Sequence, residues 1–393
     1  MQQNADQFER LIRPVPLDTN DEPKTGLILQ GGGARGAYQV GVLKAIAEVW
    51  DRPGNPFPII SGTSVGAINA SSIASHAHDF AAATERLEKL WTGLTTSLVF
   101  DPTGKSITKT IWRVVSSFGF GAKVDRYGWL DNRPLRRLLE TEFDRGGLEK
   151  AFAEGDLEGF CVTTSCYACG IAVTYFEGTG DVAEWKRTRR EGVPDKIRVD
   201  HLMASSALPF IFPAVLIQGT YQGDGAMRLG APLSPAIRMG ANRTLVVGVR
   251  DAVIQYPSKD YVPLYPSAGE MAGHSIDILF NDNLESDIER LSRINRLVRM
   301  IPPKKRAETH LKEIDFLMLQ PSRDLREIAA AHEDEMPRAI HTILRRIGAT
   351  GVDGRLPSYL LFEQGYIRAL IELGYKDTLA RRDEVKAFLD HDR

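Results

Sequence analysis

The sequence predicts a layered α/β/α fold with a mostly parallel central sheet and a helical C-terminal extension. Three observations carry this. Short apolar runs alternate with helix-period stretches from residue 25 to residue 320. Glycine-rich turns join the first two strands to the helices that follow them. From residue 321 onward only helix-period, highly charged pattern remains.

Residues 1–24 are polar and proline-punctuated and read as a loose N-terminal arm. Residues 25–30 form a buried strand. Gly31-Gly32-Gly33-Ala34-Arg35-Gly36 is a glycine loop opening a helix over 36–50, with Val40, Leu43, Ile46, Ala47 and Trp50 on one side. A second strand at 57–61 runs through Gly62-Thr63-Ser64-Val65-Gly66 into a helix over 67–92, broken near His78-Asp79. Residues 93–131 are less regular. Within them Ile107, Ile111, Val114, Val115 and Phe118 share a helical stripe flanked by Lys105, Lys109 and Arg113. With Trp112 and Phe120, the stretch 105–130 reads either as a packed helix or as a segment touching a membrane surface.

A helix is expected over 133–153, and strands 159–165 and 171–176 pair around a turn at 167–170. A polar, basic segment spans 184–198, and a short helix 201–207. Residues 208–213 form an extended loop, since Pro209 and Pro213 each restrict the residue before them. A strand at 215–218 precedes a glycine-lined turn, 221–226, that bears Asp224. Strands at 245–249 and 316–319 flank a long amphipathic helix over 268–300. The predicted units are the arm 1–24, a domain over 25–320 and the helical extension 321–393.

Composition limits the function classes. A net charge of -2 gives no global basic field for nucleic acid. Cys161, Cys166 and Cys169 make no disulfide framework. Cys166-x-x-Cys169 lacks the second half of a zinc site and reads as small buried residues in a hairpin. The uncharged run 53–78 exceeds a membrane span in length, but Pro56, Pro58, Gly62, Gly66 and Asn69 make it strand, turn and helix. The first 24 residues hold no apolar core of the signal-peptide kind. A cytoplasmic protein is expected, peripheral at a membrane if 105–130 contacts lipid. Nothing in the sequence fixes its oligomeric state.

The glycine loop admits two chemistries. Gly31, Gly33 and Gly36 match G-x-G-x-x-G after a strand, as in dinucleotide binding. That reading needs an acid at the end of the second strand; Ser61-Gly62-Thr63-Ser64 stands there, and Asp51 lies before the strand. Acyl transfer uses both glycine stretches. Gly62-Thr63-Ser64-Val65-Gly66 is a G-x-S-x-G turn between strand and helix, which projects a nucleophilic serine. Gly31, Gly32 and Gly33 expose backbone N–H groups suited to an oxyanion hole. The proton acceptor stays open: His274, His310, His332, His341 and His391 follow in the chain, but none stands in a glycine- or proline-rich loop after a strand.

Taken in order, Gly31–Gly36 with Arg35, Gly62–Gly66 and Asp224-Gly225-Ala226 resemble the patatin-like phospholipase family. Ala204-Ser205-Ser206-Ala207-Leu208-Pro209 with Phe212-Pro213 is similar to that family's block before its aspartate. The resemblance spans roughly residues 25–320. It implies a Ser–Asp dyad without histidine, with Ser64 as nucleophile and Asp224 as base. It also implies hydrolysis of acyl-lipid esters without a metal, and no cofactor is expected. Arg35 is then a loop-orienting residue or a contact for an anionic head group. The rival readings are a dinucleotide-dependent enzyme and a catalytically silent protein of the same fold.

Overall fold

The computed structural model describes residues 23–102, 128, 130–180, 182–250, 265–306, 308–309, 311–351 and 355–390. Most of the N-terminal arm and the 107–118 stripe lie outside them.

Ten strands among the described residues form one mixed sheet: β1 Thr25–Leu29, β2 Ile59–Thr63, β3 Gly159–Cys166, β4 Ile171–Gly178, β5 Trp185–Arg187, β6 Arg190–Pro194, β7 Val215–Ile217, β8 Thr220–Asp224, β9 Arg243–Val247 and β10 Asp315–Leu319. The order is β10-β9-β1-β2-β3-β4-β6-β5, with β8 on β3 and β7 on β8. From β10 to β3 every neighbouring pair is parallel. These central strands are buried on both faces, which is why they read as apolar runs and not as alternations. Helices Gly36–Trp50, Val65–Ser75 and Phe80–Thr92 cover one face through Leu27, Leu29, Val40, Leu43 and Ile60. Helices Ser234–Arg238 and Asn283–Met300 cover the other through Ile28, Ile59, Cys161, Leu284 and Leu291.

Several elements depart from the sequence expectation. The helix over 133–153 is two helices, because Asp144 caps the second by accepting the Gly147 N–H at 2.8 Å. The basic segment 184–198 contains β5 and β6 at the sheet edge. Trp185 anchors them by stacking on Phe176 at 4.8 Å between ring centroids. The loop 208–213 is not extended: the N–H groups of Ile211 and Phe212 both bond to the Leu208 carbonyl, with Pro209 inside the turn. Asp224 ends a strand and does not ride on a turn. The helix over 268–300 contains a π-helical segment, Ile278–Asp282. The β3–β4 turn is closed by a Cys166–Cys169 disulfide, whereas Cys161 is a buried free thiol.

The C-terminal helices pack on this body. Helix Gln364–Ala380 crosses helix Gly36–Trp50 where both backbones lack side chains. A Cβ on Gly41 would stand 2.7 Å from the Tyr375 nitrogen, and one on Gly374 3.1 Å from the Val42 nitrogen. Tyr366, Ile367, Leu370 and Phe388 belong to the same buried cluster as Tyr38, Leu43 and Ile46. Among the described residues, no helix is long and apolar enough to cross a membrane.

Candidate active site

Ser64 and Asp224 are 160 positions apart in sequence (224 − 64), and β3 brings them together. One edge of β3 is taken along its length by β4. The other edge is shared. β2 occupies it up to the pair Thr63↔Thr163, and the antiparallel β8 occupies it from the pair Thr164↔Asp224. The C-terminal ends of β2 and β8 therefore meet on successive rungs of one strand. Ser64 follows the last residue of one, and Asp224 is the last residue of the other.

The chain turns sharply at the meeting point. Ser64 has φ 55° and ψ −131°, a conformation that non-glycine residues rarely adopt, and it opens helix Val65–Ser75. The flanking glycines are sterically required. A Cβ on Gly62 would stand 2.6 Å from the Ala67 nitrogen, and one on Gly66 2.6 Å from the Gln30 carbonyl oxygen. A Cβ on Gly36 would press into Val65 at 2.8 Å. Gly225 likewise leaves no room, its Cβ position lying 2.7 Å from the Thr163 carbonyl carbon.

Ser205, on helix Val199–Ser205, supports the turn from below. Its hydroxyl accepts the Ser64 N–H at 2.9 Å and donates to the Thr163 carbonyl at 2.7 Å, with no solvent exposure. Asp224 is fully buried. Its Oδ1 accepts the Ala226 N–H at 2.9 Å, and its own N–H bonds to the Ala207 carbonyl at 2.9 Å. Its Oδ2 has no hydrogen bond of ordinary geometry among the described residues. Burial pushes the Asp224 pKa up to about 7, opposed by the Ser64 hydroxyl and the Ala226 N–H, which favour the carboxylate. A carboxyl poised near neutrality beside a strained serine has the properties of a general base.

Gly31, Gly32 and Gly33 lie at the end of β1, next to the serine. A Cβ on Gly31 would stand 2.8 Å from the Ser64 Cβ. Gly33 has φ +55°, and any side chain there would collide with the Tyr359 backbone. Arg35 turns away from the serine. Its guanidinium is 3% exposed, bonds Ser358 Oγ at 3.0 and 2.8 Å, lies 3.4 Å from Asp277 and sits 3.9 Å above the Tyr359 ring. Burial disfavours its charge, but Tyr359 and Asp277 outweigh that and leave its pKa above the ordinary value. These contacts hold the glycine loop against helices Ala268–Asp277 and Arg355–Leu360.

Ser64, Asp224 and Gly33 open onto a cavity whose other walls are almost wholly apolar, among them Ile68, Trp91, Leu139, Phe212 and Phe362. Asp224 is the one charged side chain among its described lining residues, and no described histidine lines it. His332 and His341 instead face Glu335 and Glu333. No group of acidic, histidine or cysteine side chains among the described residues could hold a metal.

Sequence reasoning quoted Ser205 only as part of a block and missed Phe280, Tyr359, Leu360 and Phe362 altogether. The last three lie in a region that read only as helix, with no signal pointing back to the site.

A protein-family comparison matches the patatin-like phospholipase model over residues 27–237. The lysophospholipase nte1 of Aspergillus terreus is 54% identical over 52 residues, 13% of this chain and 3% of that protein. The lysophospholipase NTE1 of Scheffersomyces stipitis is 24% identical over 261 residues, 64% of this chain and 13% of that protein. The chain thus spans a small part of these relatives' length. Human GIVD cytosolic phospholipase A2, solved with methyl gamma-linolenyl fluorophosphonate, aligns with a TM-score of 0.43 at 13% identity, covering 98% of this chain and 61% of that one.

Proposed function

The chain belongs to the patatin-like phospholipase family, and from that membership we propose that it hydrolyses acyl-lipid esters with Ser64 as nucleophile and Asp224 as base. The observation that carries the reading is the head-on meeting of β2 and β8 on β3, beneath an apolar cavity.

The acyl chain of the substrate lies in the cavity, and its ester carbonyl comes to Ser64. Asp224 Oδ2 takes the hydroxyl proton as Oγ attacks the carbonyl carbon. The oxyanion is held by N–H groups of the Gly31–Gly33 loop, each such donor contributing about 3 kcal/mol to the transition state. The tetrahedral intermediate collapses, and the alcohol leaves with the proton from Asp224. A water then gives its proton to Asp224, attacks the acyl-enzyme and releases the fatty acid with Ser64 restored. The strained backbone at Ser64 and the bond from Ser205 fix the nucleophile before substrate arrives. Apolar walls exclude bulk water, which keeps the Asp224 pKa high enough for proton transfer.

A fluorophosphonate probe and a lysophospholipid substrate test this. Wild type becomes labelled and releases fatty acid. Ser64→Ala removes both signals, and Asp224→Asn lowers hydrolysis by at least about a thousandfold with the fold retained. Full activity in a folded Asp224→Asn protein would overturn the dyad.

A further inference from the structure

A second, smaller pocket lies beside the first on the side of the sheet covered by helix Asn283–Met300. Ile28, Leu229 and Leu284 give it apolar walls, and Gln30, Ser61, Thr63 and Asn283 add neutral polar groups. It reaches Gly31, Thr63 and Ala226, the immediate neighbours of the catalytic pair. Among the described residues, the two cavities share a single lining residue, Phe280.

Phe280 is held at three points. Its ring stacks on Tyr359 at 5.4 Å between centroids. Its Cε1 lies 2.8 Å from the position a Gly31 Cβ would take, which is equally close to the Ser64 Cβ. Its carbonyl accepts the Gln30 Nε2–H at 2.5 Å, and Gln30 Oε1 in turn accepts the Val249 N–H at 3.0 Å. It sits in the π-helical segment Ile278–Asp282, a local widening of the kind that recurs at functional sites. The ring is thus a wall held from its own helix, from the sheet end and from Tyr359.

We propose that Phe280 is a specificity-determining partition. It confines the substrate to one buried acyl chain and separates that chain from the second pocket, whose uncharged lining suits a second chain. The proposal rests on the acyl-lipid reading above. Two chains of a diacyl lipid spring from neighbouring carbons of one alcohol, so the second chain needs an apolar compartment within a few bonds of the ester under attack. The second pocket occupies that place, and the phenyl ring stands between it and the first. The other part of such a substrate, an ionised phosphate, is excluded: no described lining residue is cationic, and a buried phosphate without a partner is strongly disfavoured. Glycerol and phosphate accordingly stay in water at the mouth.

The test compares hydrolysis of mono-oleoyl and dioleoyl phosphatidylcholine, both dispersed in the same detergent micelles, as the ratio of kcat/KM values. That ratio is internal to each variant and does not depend on its specific activity. Phe280→Leu and Phe280→Ala raise the diacyl-to-monoacyl ratio stepwise, by about tenfold or more in the alanine variant. Adding Leu229→Trp, which fills the second pocket, returns the ratio toward wild type. Loss of packing alone would lower both activities and leave the ratio in place. An unchanged ratio in folded Leu and Ala variants of an active wild type overturns the partition and leaves the dyad standing. A wild type that neither hydrolyses either lipid nor carries a fluorophosphonate label on Ser64 overturns both.

Discussion

At Asp224 stability and catalysis pull against each other. The carboxyl is enclosed, and its pKa rises to about 7 mainly through desolvation. Only the ionised form accepts a proton, so kcat/KM should fall about tenfold per pH unit below about pH 7, with the limb read from fluorophosphonate labelling rates as well as turnover. Stability has the opposite sign. A carboxyl whose folded pKa exceeds its unfolded one holds its proton more tightly in the native state. That advantage is complete below the unfolded value, about 3.9, and is lost as pH rises through about 7. Asp224→Asn should therefore raise the melting temperature at pH 8, by an amount equivalent to about 2–4 kcal/mol, with the gap shrinking toward pH 4. Thermal melts across that range check it, and a variant less stable than wild type at pH 8 would contradict the buried carboxylate. At this scale the sharp turn at Ser64 was legible, because an apolar run, glycines spaced around a serine and a helix-period stretch follow one another directly. Asp224 was legible through the family pattern alone. Its pKa depends on enclosure by groups distant in sequence, which no local window contains.

Among the elements, helix Val199–Ser205 and strand β3 set the geometry that the two residues use. Ser205 links the backbone of Ser64 to the carbonyl of Thr163, and so ties the elbow to the rung next to Asp224. Ser205→Ala leaves a buried N–H and a buried C=O without partners, at a cost of about 1–3 kcal/mol each. Part of that cost falls on the placement of Oγ. The expected result is a fall in kcat of about 10–100-fold with KM little changed, and recovery in Ser205→Thr, which keeps the hydroxyl. A Ser205→Ala protein that is destabilised yet keeps wild-type kcat would reduce the contact to a structural one. The parallel strands were readable from the sequence, since burial on both faces leaves an apolar run. The edge strands β5 and β6 were not: Lys186, Arg187, Arg190 and Glu191 mask the pattern, and pairing depends on Trp185 finding Phe176. The sharing of one β3 edge by β2 and β8 was equally invisible, because it is a property of register.

For the whole molecule the open matter is whether residues beyond 320 form a unit of their own. Their pattern reads as a helical extension, and we propose that it folds as part of the hydrolase body. Tyr359, Leu360 and Phe362 line the acyl cavity, Ser358 bonds Arg35 of the glycine loop, and helix Gln364–Ala380 lies on helix Gly36–Trp50 at Gly41 and Gly374. None of these contacts is signalled locally, since each residue meets a partner some three hundred positions away. The glycine crossing offers a decisive substitution. A methyl group on Gly374 would overlap the Tyr38 carbonyl, so the helices must separate. Overpacking of this kind typically costs about 1–3 kcal/mol. In a single cooperative body, Gly374→Ala lowers the one melting transition and moves the cavity wall made by residues 359–362, so KM for a long-chain substrate rises while a short-chain ester is hydrolysed nearly as before. In a separately folding extension, the same change produces a second, earlier transition in calorimetry and leaves both substrates unaffected. One shifted transition together with a chain-length-dependent KM is the outcome expected here.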